Sequence, residues 1–173
     1  MPEKDYFALH LRDLPYFRAL IRGVEAHFYQ ELALPAPILD VGCGDGHFAS
    51  LTFDYPLDVG IDPWTGPLRK AARRPGVYQV LIQGDAAHNP FPEGYFASAL
   101  SNSVLEHIPH IDAVLADTAR VLEPGAPFYC CVPNPRYFSE LHVPALLRKI
   151  GLRKPAAWYT GWFRVISRVQ HAD

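Results

Sequence analysis

Cysteine is scarce in these 173 residues: Cys43, Cys130 and Cys131 are all there is. An odd number with two adjacent supplies neither a disulfide framework nor a C-x-x-C metal knuckle, so buried thiols are expected. No stretch approaches the roughly 18 continuous apolar residues of a membrane span. The beginning, with Glu3, Asp5, Tyr6 and Phe7, lacks the basic and apolar regions of a secretory leader. A surplus of one charge is missing too, since 16 Lys and Arg face 18 Asp and Glu for a formal net charge of -2. The whole-chain field therefore does not gather polyanions. No H-E-x-x-H, paired Cys/His or G-x-S-x-G pattern occurs, which leaves metal binding and a serine nucleophile unsupported. A soluble, cytoplasmic protein without a metal is expected.

What is present reads as one globular domain over 1–173. Apolar residues are 49% and charged residues 20%, close to the globular average, and a chain of this length buries about 70% of its unfolded surface. The 17 prolines punctuate loops throughout and isolate no linker. Charge is unevenly spread. From Asn134 onward, Arg136, Arg148, Lys149, Arg153, Lys154, Arg164 and Arg168 face only Glu140 and Asp173. The expected organisation is an N-terminal helical segment (1–35), a core (36–133) and a basic, aromatic helical tail (134–173).

Leu14, Phe17, Ile21, Val24 and Phe28 recur at three- and four-residue steps, the spacing of one helical face. This predicts a helix over about 13–33, capped by Asp13 with Pro15 in its first turn, and Pro35-Ala36-Pro37 ends it. Ile38 to Val41 then reads as a buried parallel strand. The pattern repeats with strands at Leu57–Ile61, Val77–Ile82, Tyr95–Leu100 and Pro127–Val132. A helix at Thr65–Arg74, capped by Thr65, and another at Ile111–Leu122 alternate with them. Such alternation implies right-handed parallel crossovers with helices on both faces, a doubly wound α/β fold. Leu141–Ile150 and Trp158–Val169 look helical, and no sixth strand is visible.

Asp40-Val41-Gly42-Cys43-Gly44-Asp45-Gly46 stands where the first strand ends. Ligands of open α/β sheets bind beyond the carboxyl ends of strands, and glycines let them approach the backbone. The spacing is G-x-G-x-G, not the dinucleotide G-x-G-x-x-G, and His47 occupies a place where that fingerprint wants a small residue. Asp40, two positions before the first glycine, suits a cation better than a phosphate. Asp62 follows the second strand about 20 residues on, where α/β nucleotide sites accept ribose hydroxyls. Asp85 follows the third. Either aspartate alone is more often a turn residue or cap, but three acid-bearing strand ends argue for a site.

Ile38 to Phe48, Gly60-Ile61-Asp62, Gly84-Asp85-Ala86, Asn89 to Pro92, Val104 to Ile108 and Arg120 to Gly125 resemble the ordered motifs of class I S-adenosylmethionine-dependent methyltransferases. The nearest group is the small-molecule, ubiquinone-biosynthesis-like type, and the resemblance covers about 36–133. It implies a Rossmann-like sheet of order 3-2-1-4-5. It places Asp40, Gly42, Gly44 and Gly46 around the methionine half of S-adenosylmethionine and Asp62 on the ribose hydroxyls. Pro63 would lie on adenine, Asp85 at its amino group with Ala86 beside it, and Ser101 and Asn102 near the methionine amine. Ala97 departs from the family's usual aspartate, and Gly125-Ala126 from its usual Gly-Gly. Strands six and seven of the family are expected to be absent, leaving a strand-five edge for the C-terminal helices or a second copy of the chain to cover.

Methyl transfer from a sulfonium is an in-line displacement, so a protein base is optional. His107, just after the fourth strand, is the candidate. Glu106 and His110 rank below it, and His27, His47 and His88 carry no ligand spacing. The expected activity is methyl transfer to a small molecule, with S-adenosylhomocysteine as product. A cofactor-holding module without turnover and an NAD-dependent oxidoreductase are the alternatives. Ser101-Asn102-Ser103-Val104 lacks the Asn/Asp-Pro-Pro-aromatic pattern of nucleic-acid amino-methylation, so no nucleic-acid partner is expected.

Overall fold

The computed structural model describes residues 4–132, together with Lys149 and Lys154. Internal contacts divide the chain after Val132 into units 1–132 and 133–173. The predicted tail helices at 141–150 and 158–169, and the expected absence of strands six and seven, lie outside the described residues.

Five parallel strands form one sheet in the order β3-β2-β1-β4-β5, the order and class expected. They are β1 (Ile38–Val41), β2 (Leu57–Asp62), β3 (Tyr78–Gln83), β4 (Ser98–Asn102) and β5 (Phe128–Cys131). β1 is central and buried at every residue, as a parallel strand covered on both faces must be. Its Leu39 pairs with Val59 on one side and Ala99 on the other. Because alternate side chains point to opposite faces, Leu39 and Val41 join Val59, Ile61, Phe96, Ala99, Val114 and Val121 in one core cluster. Ile38 joins Tyr29, Phe53, Leu57 and Leu100 in another. Each of the large apolar side chains among them contributes roughly 1.5–3 kcal/mol on burial, so both layers of helices are tied to β1.

The N-terminal segment differs from the reading of a single helix over 13–33. It forms α1 (Tyr6–Leu11) and α2 (Tyr16–Gln30), with Asp5 accepting from the Ala8 N–H to cap α1 and Pro15 standing outside α2 as its N-cap. The buried face of α2 is Ala19, Gly23, Ala26 and Tyr29 with Glu25, whereas Val24 is 65% and Phe28 49% exposed. The large apolar residues carried the periodic signal, but close helix pairing is set by the side chains at the contact, here small ones. A Cβ on Gly23 would lie 3.0 Å from Phe7 Cα.

Smaller corrections concern boundaries. α3 (His47–Thr52) follows the glycine turn, and α4 (Thr65–Ala71) starts at Thr65, with Trp64 as its N-cap, and stops before Arg74. β4 begins three residues after Tyr95, because Phe96 pairs with Leu122 and the N–H groups of Ala97 and Ser98 turn to the Pro37 carbonyl. α5 (Ile111–Val121) matches its prediction to within a residue. No described helix is long and apolar enough to cross a membrane.

Gly23→Ala places a methyl group against backbone, where overpacking costs about 1–3 kcal/mol, while the helix gains about 1 kcal/mol from alanine. The variant should be less stable by about 1 kcal/mol in urea titration. A variant at least as stable as the parent would show that α1 does not depend on this close approach.

Candidate functional site

The strand order reverses between β1 and β4, since the chain builds outward from β1 to β3 and then crosses back. Crevices beyond the carboxyl ends of strands at such a point are where open α/β sheets bind ligands. The glycine turn from Gly42 to Gly46 occupies this place, and its three glycines do different things. All have positive φ, at 77°, 56° and 69°. A Cβ on Gly42 would overlap the Val104 side chain, and one on Gly46 would meet Tyr78 Cε2 at 3.1 Å. At Gly44 no atom of the described residues lies within 4 Å. Gly42 and Gly46 are therefore required by packing, and Gly44 faces open space.

One carboxylate holds this turn and another precedes it in β1. Asp62, buried at the end of β2, accepts the Gly44 N–H at 3.0 Å through Oδ2 and the Trp64 N–H at 2.9 Å through Oδ1. Burial raises its pKa, and the two backbone donors oppose that rise. Asp40, buried in β1, accepts the Tyr78 hydroxyl at 2.6 Å. Burial pushes its carboxyl up to about 7, with the Asp62 charge adding to the effect and the Tyr78 hydroxyl opposing it. Asp40, Gly42, Gly44, Gly46 and Asp62 thus meet in one place, with Tyr78 as a partner that sequence reasoning missed.

Asp85 lies at the end of β3, exposed, and accepts the Ala87 N–H at 2.9 Å to cap a 3-10 turn over Ala86–His88, in which Ala86 is buried. Pro63 is exposed next to Trp64, itself 71% exposed. At the end of β4 the Ser101 hydroxyl donates to the Val41 carbonyl at 2.9 Å, tying β4 to β1 beneath the turn. Asn102 donates to Glu25 at 2.9 Å while its own Oδ1 is buried without a partner among the described residues. Ser103 follows with φ 53°, a region costly for a residue with a side chain, and its hydroxyl donates to the other Glu25 oxygen at 2.9 Å. His107 ends a 3-10 turn over Leu105–His107, with its side chain 58% exposed and Nε2 3.7 Å from Glu106 Oε1.

Glu25 and Arg22 are the second omission. Arg22 donates to Glu25 at 2.7 Å, so α2 delivers a partly buried ion pair to the end of β4. A charged Glu25 beside the small Ala26 and Gly23 was the available signal, and it was masked by the larger apolar residues nearby. Among the described residues no three His, Cys, Asp or Glu side chains group as metal ligands.

The family described as Methyltransferase domain matches residues 39–130. The chain is 35% identical over 104 residues to a fatty-acid O-methyltransferase of Mycolicibacterium smegmatis, covering 58% of this chain and 38% of that one. It is 35% identical over 135 residues to a trans-aconitate 2-methyltransferase of Methylobacterium nodulans, covering 73% and 48%. It thus spans less than half the length of these relatives. In fold it is similar to an S-adenosylmethionine dependent methyltransferase from Mesorhizobium loti, with TM-score 0.51 and 22% identity over 65% of this chain and 53% of that one.

Folded Asp40 keeps its proton up to about pH 7, whereas the unfolded chain loses it near pH 4. A raised folded pKa stabilises below it and ceases to do so as pH climbs through it. Between pH 8 and pH 6 the fold should therefore gain about 1.4 kcal/mol from this group, the equivalent of one pK unit. Asp40→Asn should remove that increment, measured as the difference between urea titrations at the two pH values. An unchanged pH dependence would mean that Asp40 ionises freely.

Proposed function

The chain belongs to the S-adenosylmethionine-dependent methyltransferase domain family, and we propose that it holds S-adenosylmethionine at the glycine turn and transfers its methyl group to a small-molecule acceptor. The observation that carries this reading is the open space at Gly44 beside two buried carboxylates, Asp40 and Asp62. The residues present fit the cofactor. A cradle that a Cβ would fill suits a close backbone approach. A carboxyl poised near neutrality in Asp40 suits a cation, and the unpartnered Asn102 Oδ1 can accept from an ammonium group.

In this reading Asp62 accepts the ribose hydroxyls with the lone pairs that Gly44 and Trp64 leave free, and Pro63 lies on adenine with Asp85 and Ala86 at its edge. Gly42 and Gly46 shape the turn by packing, while Ser101 fixes β4 so that Asn102 reaches the methionine amine. When bound, the cofactor supplies a methyl group on a sulfonium, which an acceptor takes by in-line displacement. Alignment by the surrounding residues then supplies much of the rate, worth roughly 7–11 kcal/mol where geometry is ideal. His107 is the proposed base for acceptors that must lose a proton. The two relatives are named for methylation of a fatty acid and of trans-aconitate, which supports a small-molecule acceptor. Free Cys43, Cys130 and Cys131 suit a reducing compartment, the cytoplasm, and a second copy along β5 is the proposed partner.

Calorimetric titration with S-adenosylmethionine and S-adenosylhomocysteine tests the assignment. Charge-assisted hydrogen bonds contribute roughly 1.5–3 kcal/mol, so Asp62→Ala should weaken binding about tenfold to a hundredfold. An unaltered Kd would remove Asp62 from the site.

Gly44→Val fills the open space at a φ of 56°, and should abolish cofactor binding in a protein whose circular dichroism is native. Retained affinity would show that no ligand approaches the turn there. Binding without turnover on any acceptor would identify a cofactor-holding module, and binding of NADH instead would favour the oxidoreductase alternative.

A further inference from the structure

Asn102 ends β4 with the two ends of its amide in different settings. Its Nδ2 donates to Glu25 Oε2 at 2.9 Å, whereas its Oδ1 is buried with no donor among the described residues. An amide has donors on one side and an acceptor on the other, and turning it over exchanges them. The group that engages one end therefore decides what the other end offers. A carboxylate paired with a guanidinium only accepts, so Glu25 permits a single orientation of this amide.

Glu25 reaches Asn102 from α2, 77 positions away in sequence, and is itself buried. It also accepts from Arg22 Nη1 at 2.7 Å and from the Ser103 hydroxyl at 2.9 Å. The guanidinium balances its charge, as a buried carboxylate requires. The surroundings are held by other bonds. One turn further along α2 the Tyr29 hydroxyl donates to the Ser101 carbonyl at 3.3 Å, Gln30 Nε2 donates to the Thr52 carbonyl at 2.7 Å, and Ala26 is fully buried. Beyond Asn102, the Ser103 N–H donates to the Cys131 carbonyl at 2.7 Å, and the Val104 side chain fills the place that a Cβ on Gly42 would take. Loss of the Glu25 carboxylate consequently frees the Asn102 amide and leaves the helix and the strand end anchored.

We propose that Glu25 is a positioning residue that fixes the Asn102 amide with its oxygen as the free end, so that the end of β4 selects a ligand bearing an ammonium group over one that lacks it. This rests on the S-adenosylmethionine reading above and adds to it the residue that sets the polarity of the methionine-amine position. In the observed orientation Oδ1 meets an ammonium in a charge-assisted hydrogen bond. Turned over, the same amide would set N–H donors against a cation that has donors alone. Discrimination of the amine thus depends on a carboxylate from the N-terminal helices that does not touch the ligand.

Calorimetry on the full chain would compare S-adenosylhomocysteine with its deaminated analogue, which keeps the nucleoside and the carboxylate. Circular dichroism would check the fold of each variant, and two-dimensional NMR of the chain alone would follow the Asn102 side-chain amide. The parent should prefer the amine-bearing compound about tenfold, the equivalent of one charge-assisted hydrogen bond. Glu25→Met should abolish that preference by weakening S-adenosylhomocysteine about tenfold, leave the analogue within about twofold, and shift the Asn102 amide signals. Glu25→Gln should restore most of the preference, because its oxygen still accepts from Asn102 while the Ser103 hydroxyl turns to accept from its nitrogen. Should Glu25→Met unfold, Arg22→Met combined with it removes the guanidinium left unpaired and permits the same comparison. Equal weakening of both compounds would make Glu25 a support of the fold alone and overturn the proposal. An unchanged preference, a Gln variant no better than the Met one, or a parent that binds both compounds equally would overturn it too. A parent that binds neither compound would sink the S-adenosylmethionine reading, and the positioning of Asn102 would then survive only if Glu25→Met still shifts its amide signals.

Discussion

The hydrogen bond from the Gly44 N–H to Asp62 is the interaction on which the rest of this site depends. It links the end of β2 to the only glycine of the turn whose Cβ position faces open space. The same carboxylate accepts the Trp64 N–H and so orders the backbone leading into α4. A buried carboxylate is costly unless hydrogen-bonded, and here the cost is offset by backbone groups that would otherwise lack partners. The turn is consequently held open by the sheet itself. Asp40, one strand over, differs in kind: its neighbour is a neutral hydroxyl, and burial leaves its carboxyl poised near neutrality. The two acids thus stand in different settings, one fixing the backbone of the turn and the other held by the Tyr78 hydroxyl.

Much of this was legible in the sequence because it follows from short-range rules. Short apolar runs located all five strands, three of them ending in glycine or aspartate, and alternation with helices implied a parallel sheet, whose order the family resemblance supplied. The acid at each of three strand ends pointed to the crevice that the topology opens between β1 and β4. The resemblance to methyltransferases supplied the chemistry that spacing alone left open.

What escaped depends on contacts distant in sequence or on small side chains. Periodicity weights Val24 and Phe28, yet the close approach of α1 selects Ala19, Gly23 and Ala26. Glu25 reaches Asn102 and Ser103 across 77 and 78 positions, and Tyr78 reaches Asp40 across 38. No local pattern encodes such pairs. The strained backbone of Ser103 belongs with them, since its left-handed conformation is sustained by the Glu25 bond and by its N–H to the Cys131 carbonyl at 2.7 Å. The N-terminal helices therefore help to build the site as well as cover the sheet.

The central claim is that the space at Gly44 receives a nucleoside whose ribose meets Asp62 and whose amino-acid end meets Asp40 and Asn102. A crystal structure of the chain with S-adenosylhomocysteine measures this directly. Ribose hydroxyls should lie within hydrogen-bond distance of the Asp62 carboxylate, with the ligand backbone against Gly44. A nucleoside bound elsewhere on the unit, with Asp62 engaged only by Gly44 and Trp64, would contradict it.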